Sequence, residues 1–139
     1  MNRNAQFERI AELRTSYEAD GNPEISVDTK KKERIGNLFR EGKIYTTETL
    51  EVFDHDFPTL AEGVAIPHTI FDTVRNEAYV TIGTSRDTSE FACDSIRQWW
   101  HHYGKLHYPN ARSILMLMDG GGSNSSRHYI FKQDLQALA

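Results

Sequence analysis

A short apolar run in the C-terminal half of the chain constrains its fold most. Residues 113–118 read Ser-Ile-Leu-Met-Leu-Met, and Asp119 with three glycines follows directly. Because successive residues of a strand point to opposite faces, a run that is apolar throughout is typical of a central strand covered on both faces. We therefore expect a layered α/β sheet with a central strand that ends at Asp119.

The N-terminal half carries one helical pattern followed by short strand patterns. Apolar residues recur at helical spacing over residues 4–19, which predicts an amphipathic helix. Residues 24–28 alternate between apolar and polar, which predicts a strand that ends at Asp28. A polar connection and two extended segments are then predicted, at residues 30–42, 43–47 and 50–57.

A β-hairpin is predicted in the middle of the chain. Residues 63–74 and 77–85 are apolar and β-branched on either side of Arg75-Asn76. Pro67 lies inside the first of these segments and indicates an edge or bulged position, because proline cannot donate a backbone hydrogen bond.

Two further helices are predicted after the hairpin. Asp87 as N-cap and Glu90 three residues later form a capping-box start, and the helix is expected to end at Gly104. Trp99 and Trp100 lie on its apolar face and are interpreted as core residues. The last helix begins near Ser125.

Length and composition indicate a single soluble domain in the cytoplasm. A chain of 139 residues suits one core, and its apolar runs are far shorter than the roughly 20 residues of a membrane span. The N-terminus lacks the apolar stretch of a signal peptide, and the lone Cys93 requires no oxidising compartment. We interpret Cys93 as a packing residue.

The charge distribution favours a basic face on a chain whose net charge is −4. Between Asp28 and Lys43 there are six basic residues against three acidic ones, and residues 44–74 contain six acids with no lysine or arginine. Residues 97–132 hold five basic residues against one acid. Such blocks can form a nucleic-acid-binding face, or they can be ordinary solvated charge.

Asp28 and Asp119 are the most suggestive carboxylates, because each ends a predicted strand. In open α/β sheets, ligands collect outside the carboxyl ends of the strands. If the two strands are neighbours, their oxygens suit Mg²⁺ or Mn²⁺, and two such ions can promote displacement at phosphorus. An aspartate at a strand end is also a common turn former, so the spacing alone leaves both interpretations open.

A rival acidic cluster lies at Asp54, His55 and Asp56. In a strand, Asp54 and Asp56 would point to one face and could share an ion, although a polar face on an edge strand is the more common explanation of such a pattern. The glycines after Asp119 do not form a phosphate-binding P-loop, because the required lysine is absent from residues 120–126.

Six segments, taken in order, resemble a family of bacterial insertion-sequence transposases, the Rhodopirellula-type transposase DDE domain, which is distantly similar to mariner-like elements. The resemblance covers about residues 5–139. The segments are 25–33 (ISVDTKKKE), 55–57 (HDF), 65–67 (AIP), 87–92 (DTSEFA), 97–100 (RQWW) and 119–124 (DGGGSN).

The resemblance implies an RNase H-like fold of the retroviral integrase superfamily, with a mixed sheet flanked by helices. It also implies that Asp28 and Asp119 are catalytic metal ligands in a two-metal site for Mg²⁺ or Mn²⁺. The implied reaction is cleavage and transfer of transposon-end DNA into target DNA by a homo-oligomer. Four nearby basic residues would contact DNA phosphates: Lys30, Lys31, Lys32 and Arg34.

The chain departs from the family pattern at the third acid. The family uses a glutamate on a helix after the fifth strand, whereas this chain has no glutamate after Glu90. Asp134 would lie roughly 14 Å along a helix that starts near Ser125, too far to share the ion. We therefore expect an incomplete domain that is inactive alone, with residues 1–22 as a helix and connection and 23–139 as the N-terminal portion of the catalytic domain.

Two alternatives remain open at this point. The chain could be a non-catalytic DNA- or protein-binding remnant in which Asp28 and Asp119 are relics. It could instead be a metal-dependent phosphoesterase that uses Asp28, Asp54 and Asp56.

Overall fold

The computed structural model describes residues 3–39, 41–52, 61–84, 88–119 and 129–139. A π-helical turn, Trp100–Gly104, joins the second helix to the third. The helices and strands are, in chain order, α1 (Arg3–Ala19), β1 (Glu24–Thr29), β2 (Glu33–Ile35), β3 (Gly63–Asp72), β4 (Glu77–Gly83), α2 (Ser89–Trp99), α3 (Lys105–His107), β5 (Leu115–Met118) and α4 (Tyr129–Leu138).

The strands form one mixed sheet. β3 pairs antiparallel with β4 on one edge and with β1 on the other, and β5 pairs parallel with β1. Because β5 is parallel to β1, the chain must cross the sheet to reach it, and α2 lies in that crossover. A three-stranded antiparallel unit extended by a parallel strand is consistent with the RNase H-like α/β fold, so the predicted fold class is confirmed.

β2 continues β1 along β3 after a one-residue shift of register. Thr29 pairs with His68, whereas Glu33 pairs with Ala65. Three residues separate these pairs in the β1–β2 segment and two separate them in β3, so the β1–β2 segment contains one extra residue. Such an insertion is a β-bulge, which bends the strand. The polar connection expected at residues 30–42 therefore contains a short strand.

Pro67 lies opposite this bulge. The prediction of an edge position is wrong, because β3 has neighbours on both sides, but the alternative prediction of a bulged position is confirmed. The carbonyl of Pro67 accepts the Lys30 N–H at 2.9 Å, which shows that the backbone of Pro67 faces the bulge. The missing proline N–H therefore falls where the regular ladder is already interrupted.

One face of the sheet carries the main core. Alternate residues of β1 and β3 point to this face and pack against Ile96 and Trp99 of α2. Leu135 and Leu138 of α4 pack against the same cluster. Burying each large aliphatic side chain contributes about 1.5–3 kcal/mol. The core members from the sheet are Ile25, Val27 and Ile70.

α1 lies against the other face and is held mainly by a polar contact. Arg14 Nε lies 2.9 Å from Glu24 Oε1, and the Thr73 hydroxyl donates to the same oxygen at 2.8 Å. Glu24 is buried, so these two donors compensate its desolvated charge. The predicted helix is confirmed, but its apolar stripe is little covered, since Phe7 remains 61% exposed.

Both ends of the Trp-bearing helix differ from the prediction. Thr88, rather than Asp87, is the N-cap, because its extended backbone lets Oγ1 accept the Phe91 N–H at 3.2 Å. The helical path also does not stop at Gly104. Gly104 has a right-handed helical backbone conformation and packs on the Trp100 ring. Its lack of a side chain therefore permits close packing and does not end the helix.

Two strand predictions are wrong. Residues 43–47 form no strand, and Ile44 and Tyr45 are exposed, so their β-branched and aromatic character is not used in pairing. β5 was expected to be central and covered on both faces, but β1 is its pairing partner within the described residues and all four of its residues are half-buried. Its apolar character therefore reflects partial cover on each face.

Candidate functional site

The structure brings Asp28 and Asp119 to adjacent positions. The parallel register pairs Val27 with Met118, and the next residue on each chain segment is Asp28 and Asp119 respectively. Neighbouring strands lie about 4.8 Å apart, so the two backbones are close where these aspartates occur. Both residues are exposed.

Strand alternation points the two carboxylates to the same face. Ile25 and Val27 of β1 point into the α2 core, so Asp28 points to the opposite face. Met116 and Met118 of β5 pack on that core too. Asp119 directly follows β5, and if the alternation continues for one more residue it lies on the face of Asp28. This is the face on which Arg14 of α1 meets Glu24, at the other end of β1.

The donor set fits a hydrated divalent cation. Carboxylate oxygens are hard ligands, and their exposure means that a cation can reach them with its waters attached. The described residues contain no group of three or more histidine, cysteine, aspartate or glutamate side chains that could hold a metal ion. Asp28 and Asp119 are thus a two-residue arrangement, which leaves room for water and for substrate oxygens.

The predicted DNA-binding residues follow Asp28 directly, through the bulge and into β2. Lys30, Lys31, Lys32 and Arg34 are all exposed. Lys30 Nζ lies 3.8 Å from Glu33 Oε1, a loose and exposed ion pair that costs little to rearrange. The bulge therefore places three consecutive exposed lysines shortly after Asp28 in the chain.

The other predicted site residues do not join this pair in the described part of the chain. Asp54, His55 and Asp56 lie outside the described residues, as do the glycines at 120–122. Asp134 accepts a hydrogen bond from the Ser89 hydroxyl at 2.6 Å, which places it between α4 and α2. Since α2 and α4 cover the face opposite Asp28, Asp134 lies away from the two aspartates.

Cys93 is a packing residue, as expected. It is buried in α2 against Met118, Leu135 and Leu138. Burial raises the pKa of its thiol to about 11, because the thiolate would be desolvated. The thiol is therefore protonated near neutral pH and does not act as a nucleophile.

Sequence reasoning missed a second polar cluster, at the opposite end of the sheet. Asp72 is 3% exposed, and its Oδ1 accepts the N–H groups of Val74 and Arg75 at 3.1 and 3.0 Å. The Tyr108 hydroxyl donates to both carboxylate oxygens, at 2.9 and 2.8 Å. An aspartate two residues before a turn is a common Asx-turn signal that could have revealed the first contacts, but nothing local marks Tyr108.

None of the helices in the described ranges combines the length and apolar character that a bilayer crossing needs.

Comparison with known proteins gives one match. No curated protein and no solved structure matches the chain. The model of the family described as the Rhodopirellula transposase DDE domain matches residues 1–139. Because that match spans the entire chain, the protein belongs to the Rhodopirellula transposase DDE domain family.

Proposed function

We propose that this chain supplies Asp28 and Asp119 as the metal ligands of a transposase that cuts and joins DNA phosphodiester bonds. Membership of the DDE transposase family gives it a catalytic-domain role with DNA as substrate. The observation that supports the residue assignment is the β1–β5 register, which makes the two aspartates neighbours although 90 residues separate them. Residues 23–139 form the RNase H-like unit in this proposal, and residues 1–22 precede it as a helix and connection.

Each group in the proposed site has a defined role. Asp28 and Asp119 hold Mg²⁺ or Mn²⁺, and the bound ions neutralise charge that develops on the phosphate. Lys30, Lys31, Lys32 and Arg34 bind phosphates of the DNA backbone, which orients the strand without reading its sequence. The complete enzyme would act in the cytoplasm as a homo-oligomer on transposon-end and target DNA.

The chain alone is expected to be inactive. Asp28 and Asp119 provide two carboxylates, the sequence holds no glutamate after Glu90, and Asp134 is engaged by Ser89 on the other face. Among the residues that the structure describes, no third hard ligand joins Asp28 and Asp119, and the affinity for metal is therefore expected to be weak. Robust magnesium-dependent nicking of supercoiled DNA by this chain, lost in Asp119→Ala, would contradict this part of the proposal.

Metal binding tests the site without requiring activity. Mn²⁺ added to the ¹⁵N-labelled chain should broaden amide signals around residues 27–29 and 118–119 first, because paramagnetic broadening falls steeply with distance. Asp28→Asn and Asp119→Asn should each abolish this selective broadening. Asp20→Asn is the matched control, since Asp20 is an exposed aspartate at the end of α1. Broadening that persists in both site variants would remove the basis for the assignment.

A non-catalytic DNA- or protein-binding remnant is the second candidate, because the described residues place two carboxylates rather than three at the proposed site. The two candidates differ in their dependence on metal. If Asp28→Asn and Asp119→Asn leave Mn²⁺ binding and DNA binding unchanged, the aspartates are relics and the remnant is favoured. If DNA containing a transposon end binds more tightly with Mn²⁺, and only when both aspartates are present, the catalytic site is supported.

A further inference from the structure

Thr69 on β3 lies directly across from Asp28 on β1, since the antiparallel register pairs these two residues. Two positions further along the ladder, the Lys30 N–H donates to the Pro67 carbonyl at 2.9 Å. Hydrogen-bonded pairs recur at every second position of an antiparallel ladder, so Asp28 and Thr69 also form such a pair. The α-carbons of a hydrogen-bonded pair are about 5.5 Å apart.

Strand alternation places the Thr69 side chain on the face of Asp28. The residues on either side of it point to the other face, where His68 contacts Phe91 of α2 and Ile70 packs in the main core. Residues directly opposite each other in an antiparallel pair share a face, with β-carbons about 4.5–5.5 Å apart. The Thr69 hydroxyl therefore lies beside the Asp28 carboxylate, at a distance that one water molecule can bridge.

The Thr69 hydroxyl is available for a contact with a water or a ligand. Thr69 is half-buried, and within the described ranges no side-chain hydrogen bond engages its hydroxyl or the Asp28 carboxylate. On the side away from Asp28, Thr69 pairs with Val80, which has no polar side-chain atom. Thr69 is thus the polar side chain that borders the proposed metal site on the side of β4.

We propose that Thr69 is a positioning residue of the Asp28–Asp119 site, whose hydroxyl oxygen accepts a hydrogen bond from a water in the hydration shell of the bound divalent cation. This inference rests on the proposed function, because it requires that a cation binds at these two aspartates. A magnesium-type ion held by one or two carboxylates keeps several waters. Side chains that hydrogen-bond around a metal site orient the groups that bind the metal.

Mn²⁺ binding to the chain tests this contact without any reaction. Thr69→Val replaces the hydroxyl by a methyl group of similar shape, and should weaken Mn²⁺ binding about three- to tenfold, which corresponds to the loss of one hydrogen bond. Thr69→Ser keeps the hydroxyl and should bind Mn²⁺ within about twofold of the parent chain. The apparent dissociation constant is read from the Mn²⁺ dependence of the amide broadening at residues 27–29.

Thr81→Val is the matched control. Thr81 is also a half-buried threonine in the sheet, but it pairs with His68 and lies on the face that α2 covers. Its hydroxyl oxygen is buried and makes no hydrogen bond within the described ranges. Thr81→Val should therefore leave Mn²⁺ binding unchanged. Amide spectra of the metal-free variants verify that each one is folded.

Two results would overturn the inference alone. The first is Mn²⁺ binding by Thr69→Val that is as tight as in the parent chain, while Asp28→Asn abolishes the selective broadening. The second is equal weakening in Thr69→Ser and Thr69→Val, because the loss would then arise from packing rather than from the hydroxyl. A parent chain without selective broadening would contradict the proposed function and this inference together, so the two failures are distinguishable.

Discussion

At the scale of single residues, buried charges show how the fold compensates desolvation. Glu24 and Asp72 are both almost fully buried, and each is matched by specific donors rather than by solvent. Glu24 accepts hydrogen bonds from Arg14 and Thr73, and Asp72 accepts them from two backbone N–H groups and a tyrosine hydroxyl. A carboxylate buried without such donors would destabilise the folded state, because it would lose its hydration without gaining hydrogen bonds in exchange.

The Asp72–Tyr108 contact predicts an alkaline loss of stability. Burial, and then the hydrogen bond to Asp72, raise the pKa of Tyr108 well above its usual value near 10. Because the pKa is higher in the folded state, the stabilisation is complete below about pH 10 and is lost as the pH rises further. Urea denaturation from about pH 8 to about pH 11, a range that includes the usual tyrosine pKa, should show a free energy of unfolding that falls above about pH 10.

Tyr108→Phe is the comparison for that experiment. It should lower the free energy of unfolding at neutral pH by about 1–3 kcal/mol, since Asp72 loses a donor. Its stability should also fall less steeply above pH 10 than that of the parent chain. Parallel pH curves for the two proteins would show that Tyr108 does not titrate differently on unfolding.

At the scale of elements, irregularities set positions that regular strands and helices would not. The bulge between β1 and β2 lets Pro67 occupy an internal strand and presents Lys30, Lys31 and Lys32. The π-helical turn brings Tyr103 onto Tyr79. In each case one additional residue in an otherwise regular element changes which side chains meet.

Gly104→Ala tests the importance of the π-helical turn. The new methyl group would overlap the Trp100 ring, and the strain should lower the free energy of unfolding by about 1–3 kcal/mol. Thermal or urea unfolding measures the change. Gly63→Ala is the control, because a β-carbon there meets nothing within 4 Å, and its effect should stay within about 1 kcal/mol. Equal effects of the two substitutions would contradict the packing role of Gly104.

At the scale of the whole molecule, the sheet separates two ends with different chemistry. One end has Asp28 and Asp119 beside a run of exposed lysines. The other end has the packed rings of Tyr79 and Tyr103 and the buried Asp72. A net charge of −4 is therefore compatible with DNA binding at one end, because the charges are not evenly distributed.

DNA affinity should depend on salt through the lysines of the bulge. Replacing Lys30, Lys31 and Lys32 together by alanine should reduce the slope of log affinity against log salt concentration by about 2 to 3, since each phosphate contact releases a counterion. Fluorescence anisotropy over a salt series measures this slope. Lys105→Ala, beyond the π-helical turn, is the control and should leave it unchanged. An unchanged slope in the triple variant would remove these lysines from the DNA-binding face.

Part of this architecture is predictable from local sequence. Three elements follow from side-chain periodicity, which depends only on neighbouring residues: the strand predicted at residues 24–28, which extends to Thr29, the hairpin around residues 75–76, and the Trp-bearing helix. The same local rules failed for residues 43–47, whose β-forming residues find no partner strand, and for the ends of the Trp-bearing helix. Strand pairing and cap choice depend on what the rest of the chain offers.

The sequence by itself determined the fold class and singled out Asp28 and Asp119 as carboxylates at the ends of predicted strands. Both inferences were possible because the alternation of side chains along a strand and the formation of a turn depend on residues that are close together in the chain. Only the tertiary structure decided that β1 and β5 are parallel neighbours in a register that aligns these aspartates. It alone also placed Tyr108 on Asp72 and Tyr103 on Tyr79. Such contacts join residues far apart in the chain, and their geometry arises from packing of the whole sheet rather than from any local pattern.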